Sequence, residues 1–212
     1  MISKDEPIKI LLVESHPLTR IGIKTVVSEQ PDMKIISEAT TGEEGVSQFR
    51  KFQPDITLFG LRTPDLCGVD AVKFIRGEFP KANIIILADR AGDSEIRRTL
   101  ENGACGFVLK DAAAEELLKA IRAVYRGKRF VSPEIAEVLT ENLGAEDLTP
   151  AERRVVEMIV RGASNKEIST ALSITENTVK THLKNIFEKL NVEDRTQAAI
   201  SAIKRGIVRV DV

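Results

Sequence analysis

Lys180, Thr181 and Lys184 fall together on one side of a helix, away from the apolar stripe of Val179, Leu183, Ile186, Phe187 and Leu190. Ammonium donors beside a threonine methyl suit contacts to phosphates and base edges. Read from charge alone, the same lysines are a solvated helix face. The remaining chemistry-bearing residues exclude more than they suggest. Cys67 and Cys105 make neither a disulfide framework nor a zinc set. The two histidines, His16 and His182, lie in different halves of the chain, and no nucleophile–base pair is apparent. An enzyme is therefore not expected, and neither is a metal or other cofactor.

The elements that must carry these groups come in two textures. Over residues 1–127, apolar runs at 8–13, 34–37, 55–59, 84–87 and 106–109 alternate with helical patterns at 17–29, 42–52, 69–79, 94–102 and 113–126. This alternation predicts right-handed crossovers and a five-stranded parallel, doubly wound sheet whose site lies at the strand C-terminal ends. Residues 128–147 read as a linker with one short helix, started by Ser132-Pro133-Glu134 and running to Thr140. Over 148–212 the strand signals stop and four helices announce themselves by their caps. Thr149-Pro150-Ala151-Glu152 and Ser164-Asn165-Lys166-Glu167 are capping boxes, the first with proline at the opening helical position. Thr175 caps a third helix and Asp194-Arg195-Thr196-Gln197 opens a fourth. A short helix at 165–172, joined through Ser173-Ile174 to the helix at 175–190, is a helix-turn-helix pattern. In that arrangement the second helix enters the major groove of double-stranded DNA.

Composition narrows the classes further. The 212 residues carry 31 basic and 32 acidic side chains, a net charge of −1, which excludes a histone-like protein held to nucleic acid by bulk charge. The basic excess is local: residues 147–212 hold 11 basic against 9 acidic side chains, and the remainder 20 against 23. Trp is absent and aromatics are 4%, which argues against single-strand binding by base stacking. No apolar run approaches the roughly 18 residues that span a bilayer. Met1-Ile2-Ser3-Lys4-Asp5-Glu6 has no signal-peptide core, so a cytoplasmic location without membrane contact is expected.

Several segments carry a resemblance. Leu148-Thr149-Pro150-Ala151-Glu152-Arg153, Gly162-Ala163-Ser164-Asn165-Lys166-Glu167-Ile168, Thr178-Val179-Lys180-Thr181-His182-Leu183 and Ile186-Phe187-Glu188-Lys189-Leu190, followed by Arg195-Thr196-Gln197-Ala198, resemble LuxR-type helix-turn-helix domains. The resemblance implies that Lys180, Thr181 and Lys184 face the major groove, with lysine directed to guanine and the Thr181 methyl to thymine. It places Asn165, Lys166, Thr175, Thr178 and His182 nearer the phosphates; His182 reads equally as a helix-packing residue. It implies dimerisation through the last helix, with Ala198, Ala199 and Ala202 allowing close approach.

The N-terminal part resembles the receiver domain of two-component response regulators. The matching text includes Ile10-Leu11-Leu12-Val13-Glu14-Ser15-His16-Pro17, Gln53-Pro54-Asp55-Ile56, Leu61-Arg62-Thr63-Pro64-Asp65 and Gly103-Ala104-Cys105-Gly106-Phe107-Val108-Leu109-Lys110. Together the two parts resemble a NarL/FixJ-type regulator. Receivers use two acids after the first strand to hold Mg²⁺, an Asp ending the third strand as phosphoryl acceptor, a hydroxyl ending the fourth and a Lys after the fifth. By alignment through the flanking residues these positions are Glu14, Ser15, Gly60, Ala88 and Lys110. One metal-holding acid, the acceptor and the hydroxyl are thus missing. Lys110 reads as an ion-pair partner of Glu14, or as part of an anion site with Ser15. The expectation is a transcriptional regulator with a pseudo-receiver, bound to DNA as a homodimer independently of phosphorylation. Its activity would be set by abundance, a ligand, or a partner such as a sensor kinase or another regulator. Two alternatives stand beside it: phosphorylation of a substitute carboxylate such as Asp65, and a protein that acts only by pairing with a second regulator.

Overall fold

The computed structural model describes residues 6–142 and 146–208. The N-terminal stretch at 1–5 and the linker positions at 143–145 lie outside the described residues. In chain order the elements are β1 (Ile8–Val13), α1 (Pro17–Ser28), β2 (Met33–Ala39), α2 (Gly42–Phe52), β3 (Ile56–Gly60), α3 (Gly68–Glu78), β4 (Ile84–Ala88), α4 (Asp93–Glu101), β5 (Gly106–Leu109), α5 (Ala114–Tyr125), β6 (Phe130–Val131), α6 (Pro133–Glu141), α7 (Pro150–Val160), α8 (Asn165–Leu172), α9 (Glu176–Leu190) and α10 (Arg195–Lys204). They divide into two compact units, one of residues up to 90 with 96–137, the other of 91–95 with 138–212.

In the first unit every strand pair is parallel and the order is β2-β1-β3-β4-β5-β6. Parallel strands covered on both faces read as continuous apolar runs, and β3 and β4 are buried at every position. The stripes of α1 and α5 close one core with the sheet: Ile23, Val27, Leu117, Leu118, Ile121 and Val124 pack with Ile10, Leu12, Leu58 and Leu87. The winding reverses between β1 and β3, which lie side by side, and the crevice at such a reversal is where a doubly wound sheet gathers its functional groups.

The sheet has six strands rather than five. The sixth, β6, sits in the segment read as linker, pairing Phe130 with Gly106 and Val131 with Phe107. Two residues are too short to give alternation or an apolar run. Residues 128–137 accordingly belong to the first unit.

The second unit is held by its caps and one small core. Thr149 accepts from the Glu152 N–H while the Glu152 carboxylate accepts from the Thr149 N–H, and Ser164 and Glu167 repeat the exchange. At the fourth helix only half of such an exchange forms. Asp194 accepts from the Gln197 N–H, but the Gln197 carbonyl turns to the Glu193 N–H. Val155, Val156 and Ile159 of α7, Ile168 of α8, Val179, Ile186 and Leu190 of α9, and Ala198 and Ala202 of α10 form the core.

Candidate functional site

Two sites emerge, one in each unit. At the C-terminal edge of the sheet, β1 delivers Glu14, which is fully buried. Its Oε1 accepts from the His16 N–H at 2.8 Å and from Lys110 Nζ at 3.3 Å. Lys110 Nζ also lies 3.1 Å from Oε2, an ion-pair contact off the hydrogen-bonding direction. Lys110 follows β5 and is fixed by its own N–H, which donates to the Ala88 carbonyl at the end of β4. Its ammonium reaches a second carboxylate, Asp89 Oδ2, at 3.1 Å. The Lys110 side chain is 8% exposed and Asp89 71%, so the ammonium closes the buried acid from the solvent side.

Between these groups β3 ends at Gly60 with no side chain. A Cβ there would stand 3.2 Å from Glu14 Oε2 and 3.4 Å from the Val13 carbonyl. Ser15 turns its hydroxyl to the Arg62 carbonyl at 3.4 Å, and Ala88 is buried. The structure thus brings Glu14, Gly60, Ala88 and Lys110 together with Ser15 at one end of the sheet. Among the described residues no three His, Cys, Asp or Glu side chains gather as a metal-holding group. The residues present do not fit Mg²⁺, which wants several hard oxygen ligands. The one buried acid there is already paired with an ammonium, and the neighbouring Ser15 offers only a hydroxyl turned to a carbonyl.

Asp65, the proposed substitute acid, has another task. Its Oδ1 accepts from the Gly42 N–H at 2.7 Å and its Oδ2 from the Glu43 N–H at 3.0 Å. It therefore satisfies two of the unpaired donors that open α2. Burial pushes its carboxyl up, but the N–H groups of Glu43, Gly42 and Leu66 outweigh this and hold it at about 2. Gly42 is required at that junction, because a Cβ would lie 2.4 Å from the Leu66 carbonyl. Cys67 is buried and its thiol donates to Asp70 Oδ2 at 3.2 Å.

In the second unit α8 ends at Ser173, whose left-handed backbone (φ 53°) turns the chain through Ile174 into the Thr175 cap of α9. Val179, Ile186 and Leu190 face the core, and Lys180, Thr181 and Lys184 stand exposed on the same helix. The Thr181 hydroxyl donates to the Asn177 carbonyl at 3.1 Å, which turns the polar end into the helix and leaves the methyl outward. Lys184 has only a long 3.8 Å contact to Glu188, both of them solvated. Thr175 and Thr178 pair their hydroxyls at 2.9 Å; Lys166 is exposed, and Asn165 and His182 are half-buried.

Three side chains depart from the sequence reading. Ala198 and Ala202 are fully buried in their own core, so neither can line a dimer face. Ala199 is half-buried, and the large apolar side chains that α10 leaves exposed are Ile200 and Ile203. Helical spacing marks an alanine stripe without saying whether its own domain or a partner covers it. Lys189, which charge alone would place on the solvated helix face with Lys180 and Lys184, pairs instead with buried Glu152 at 2.8 Å. Burial pushes the Glu152 carboxyl up, but Lys189 and the Thr149 cap hold it below its ordinary value. The i to i+37 separation of that pair leaves no local signal in the sequence.

Comparison with known proteins follows the same division. Residues 10–122 match the response regulator receiver domain, and residues 146–202 match the bacterial regulatory proteins of the luxR family. The response regulator protein VraR of Staphylococcus epidermidis is 33% identical over 207 residues, covering 95% of this chain and 99% of that protein. A LuxR-family two-component response regulator from Aurantimonas sp. is similar at 31% identity with a TM-score of 0.62, over 65% of this chain and 99% of that one. RcsB of Salmonella enterica serovar Typhimurium, solved on a promoter in the presence of a phosphomimetic, gives a TM-score of 0.74 over 94% of this chain and 99% of that one. At 22% identity that last likeness is one of fold.

Proposed function

The chain belongs to the response regulators that join a receiver domain to a LuxR-type DNA-binding domain, and from that membership we propose a transcriptional regulator that acts as a dimer on duplex DNA without phosphorylation of its receiver. One observation carries the proposal: β3 ends in Gly60, and the space above it is bounded by a buried Glu14 already neutralised by Lys110. Phosphoryl transfer depends almost wholly on positioned charge. Here the acceptor carboxylate and one of the two metal-holding acids are missing, and the lysine that would meet the phosphoryl group is held by two carboxylates. Asp65 is a poor substitute, because both its oxygens cap α2. With Ala88 at the end of β4, no hydroxyl remains there to draw a loop toward a phosphate, so the usual two-state bias has no contact to act through.

In the second unit, exposed Lys180, Thr181 and Lys184 on α9 are the base-reading residues. Lys166 and Asn165 meet phosphates from α8, and Thr175, Thr178 and His182 flank them. The outward Thr181 methyl supports a thymine contact. Exposed Ile200 and Ile203 support α10 as the dimer face, in place of the buried alanines. A sensor kinase would act on this chain only by docking, because the site offers it no acceptor.

The test is direct. After incubation with acetyl phosphate and Mg²⁺, intact-protein mass spectrometry should show no phosphoryl adduct. A hydroxylamine-labile adduct, mapped to Asp65 or any other carboxylate, would sink the proposal.

A further inference from the structure

We propose that Arg195, at the first turn of α10, is a positioning residue for DNA binding that fixes which end of the Asn165 side-chain amide faces the phosphates. The inference rests on the reading of Asn165 as a phosphate contact.

Arg195 is half-buried, and its guanidinium spans from α10 to the start of α8. One terminal nitrogen donates to the Ala163 carbonyl, in the turn before α8. The other donates to Asn165 Oδ1 at 3.3 Å. A planar fork with donors in fixed directions can hold two acceptors at once, whereas an ammonium is a point donor with no such geometry. An asparagine amide is a carbonyl acceptor at one end and an NH₂ donor at the other, and nothing in its own shape decides which faces outward. Arginine has no acceptor, so only Oδ1 can turn toward it. Nδ2 must then point away, and among the described residues its hydrogens meet no acceptor. A phosphate oxygen accepts and never donates, so the end left outward is the end a phosphate needs.

Asn165 opens α8, the helix that precedes the base-reading helix in the helix-turn-helix. In that motif the first helix crosses the DNA backbone, so an amide fixed there sets register and orientation on the duplex. Arg195 acts through Asn165 and the Ala163 carbonyl. It need not touch DNA itself.

The experiment measures affinity of the full chain for a mixed-sequence duplex at low salt, because a phosphate contact is independent of sequence. Asn165→Ala should weaken binding about tenfold, the loss of one hydrogen bond to a charged group. Asn165→Asp keeps the acceptor for Arg195 and puts an anionic oxygen where the NH₂ stood. It should bind more weakly than Asn165→Ala while melting no lower than the wild type. Arg195→Lys retains the charge and loses the fork, so it should fall close to Asn165→Ala with an unchanged salt dependence. Adding Asn165→Ala to Arg195→Lys should cost little more. A wild-type affinity for Arg195→Lys, additive losses in the double variant, or Asn165→Asp binding as well as the wild type would each overturn the positioning role. Wild-type protein that binds no duplex would overturn the phosphate reading beneath it.

Discussion

A lysine held between two carboxylates, one of them fully buried, is the feature on which the sheet-end site turns. Removing one partner of a buried pair leaves the other charge without compensation. Lys110→Met should therefore destabilise the sheet unit by about 3 kcal/mol in chemical denaturation, while Glu14→Gln, which leaves the Lys110 ammonium still paired with Asp89, should be milder. Equal effects would mean that the pair is solvent-screened. Asp89, largely exposed, contributes little by comparison, and Asp89→Asn should shift stability by under about 1 kcal/mol. Gly60 and Ala88 were readable from the sequence because each lies at a strand end marked by its flanking residues. The pairing of Lys110 with Asp89 was not, since it joins side chains from two different strand-to-helix loops and leaves no local pattern. The same reason hid Lys189–Glu152 and the fork of Arg195.

The helices announced themselves because caps are local: the N-cap side chain and its partner lie three residues apart. Thr149→Ala should accordingly lower the stability of the helical unit by about 1 kcal/mol, measured by urea unfolding. The five longer strands were equally plain as apolar runs, and β6 failed only because two residues carry no period. What the sequence could not convey is that α2 receives part of its capping from Asp65, 23 residues away from Gly42. That acid has a pH signature. Its folded-state value of about 2 lies below its ordinary 3.8, so its stabilisation is complete above about pH 4 and disappears as pH falls toward 2. Asp65→Asn should flatten the acid limb of the stability curve in that window and change little at pH 7 beyond a weakened cap. An unchanged acid limb would show that the carboxylate is not what holds the start of α2.

The two units match the two domains of a response regulator: a receiver-like sheet in which β3 ends at Gly60, and a capped helical module that leaves Lys180 and Lys184 exposed on α9. If α10 is the dimer face, Ile203→Asp should weaken binding to paired half-sites and leave single half-site binding nearly unchanged, as judged by gel-shift titration. Equal loss on both targets would place Ile203 in the fold of the domain instead. Lys180→Ala and Lys184→Ala should reduce discrimination between duplexes, each by about tenfold for a lost base contact. The independence from phosphorylation stands or falls on one titration. The purified, untreated protein is measured against host genomic fragments at moderate salt, with and without beryllofluoride and Mg²⁺. Specific binding that is already present and does not change on addition is the expected result; binding that appears only with beryllofluoride would contradict it.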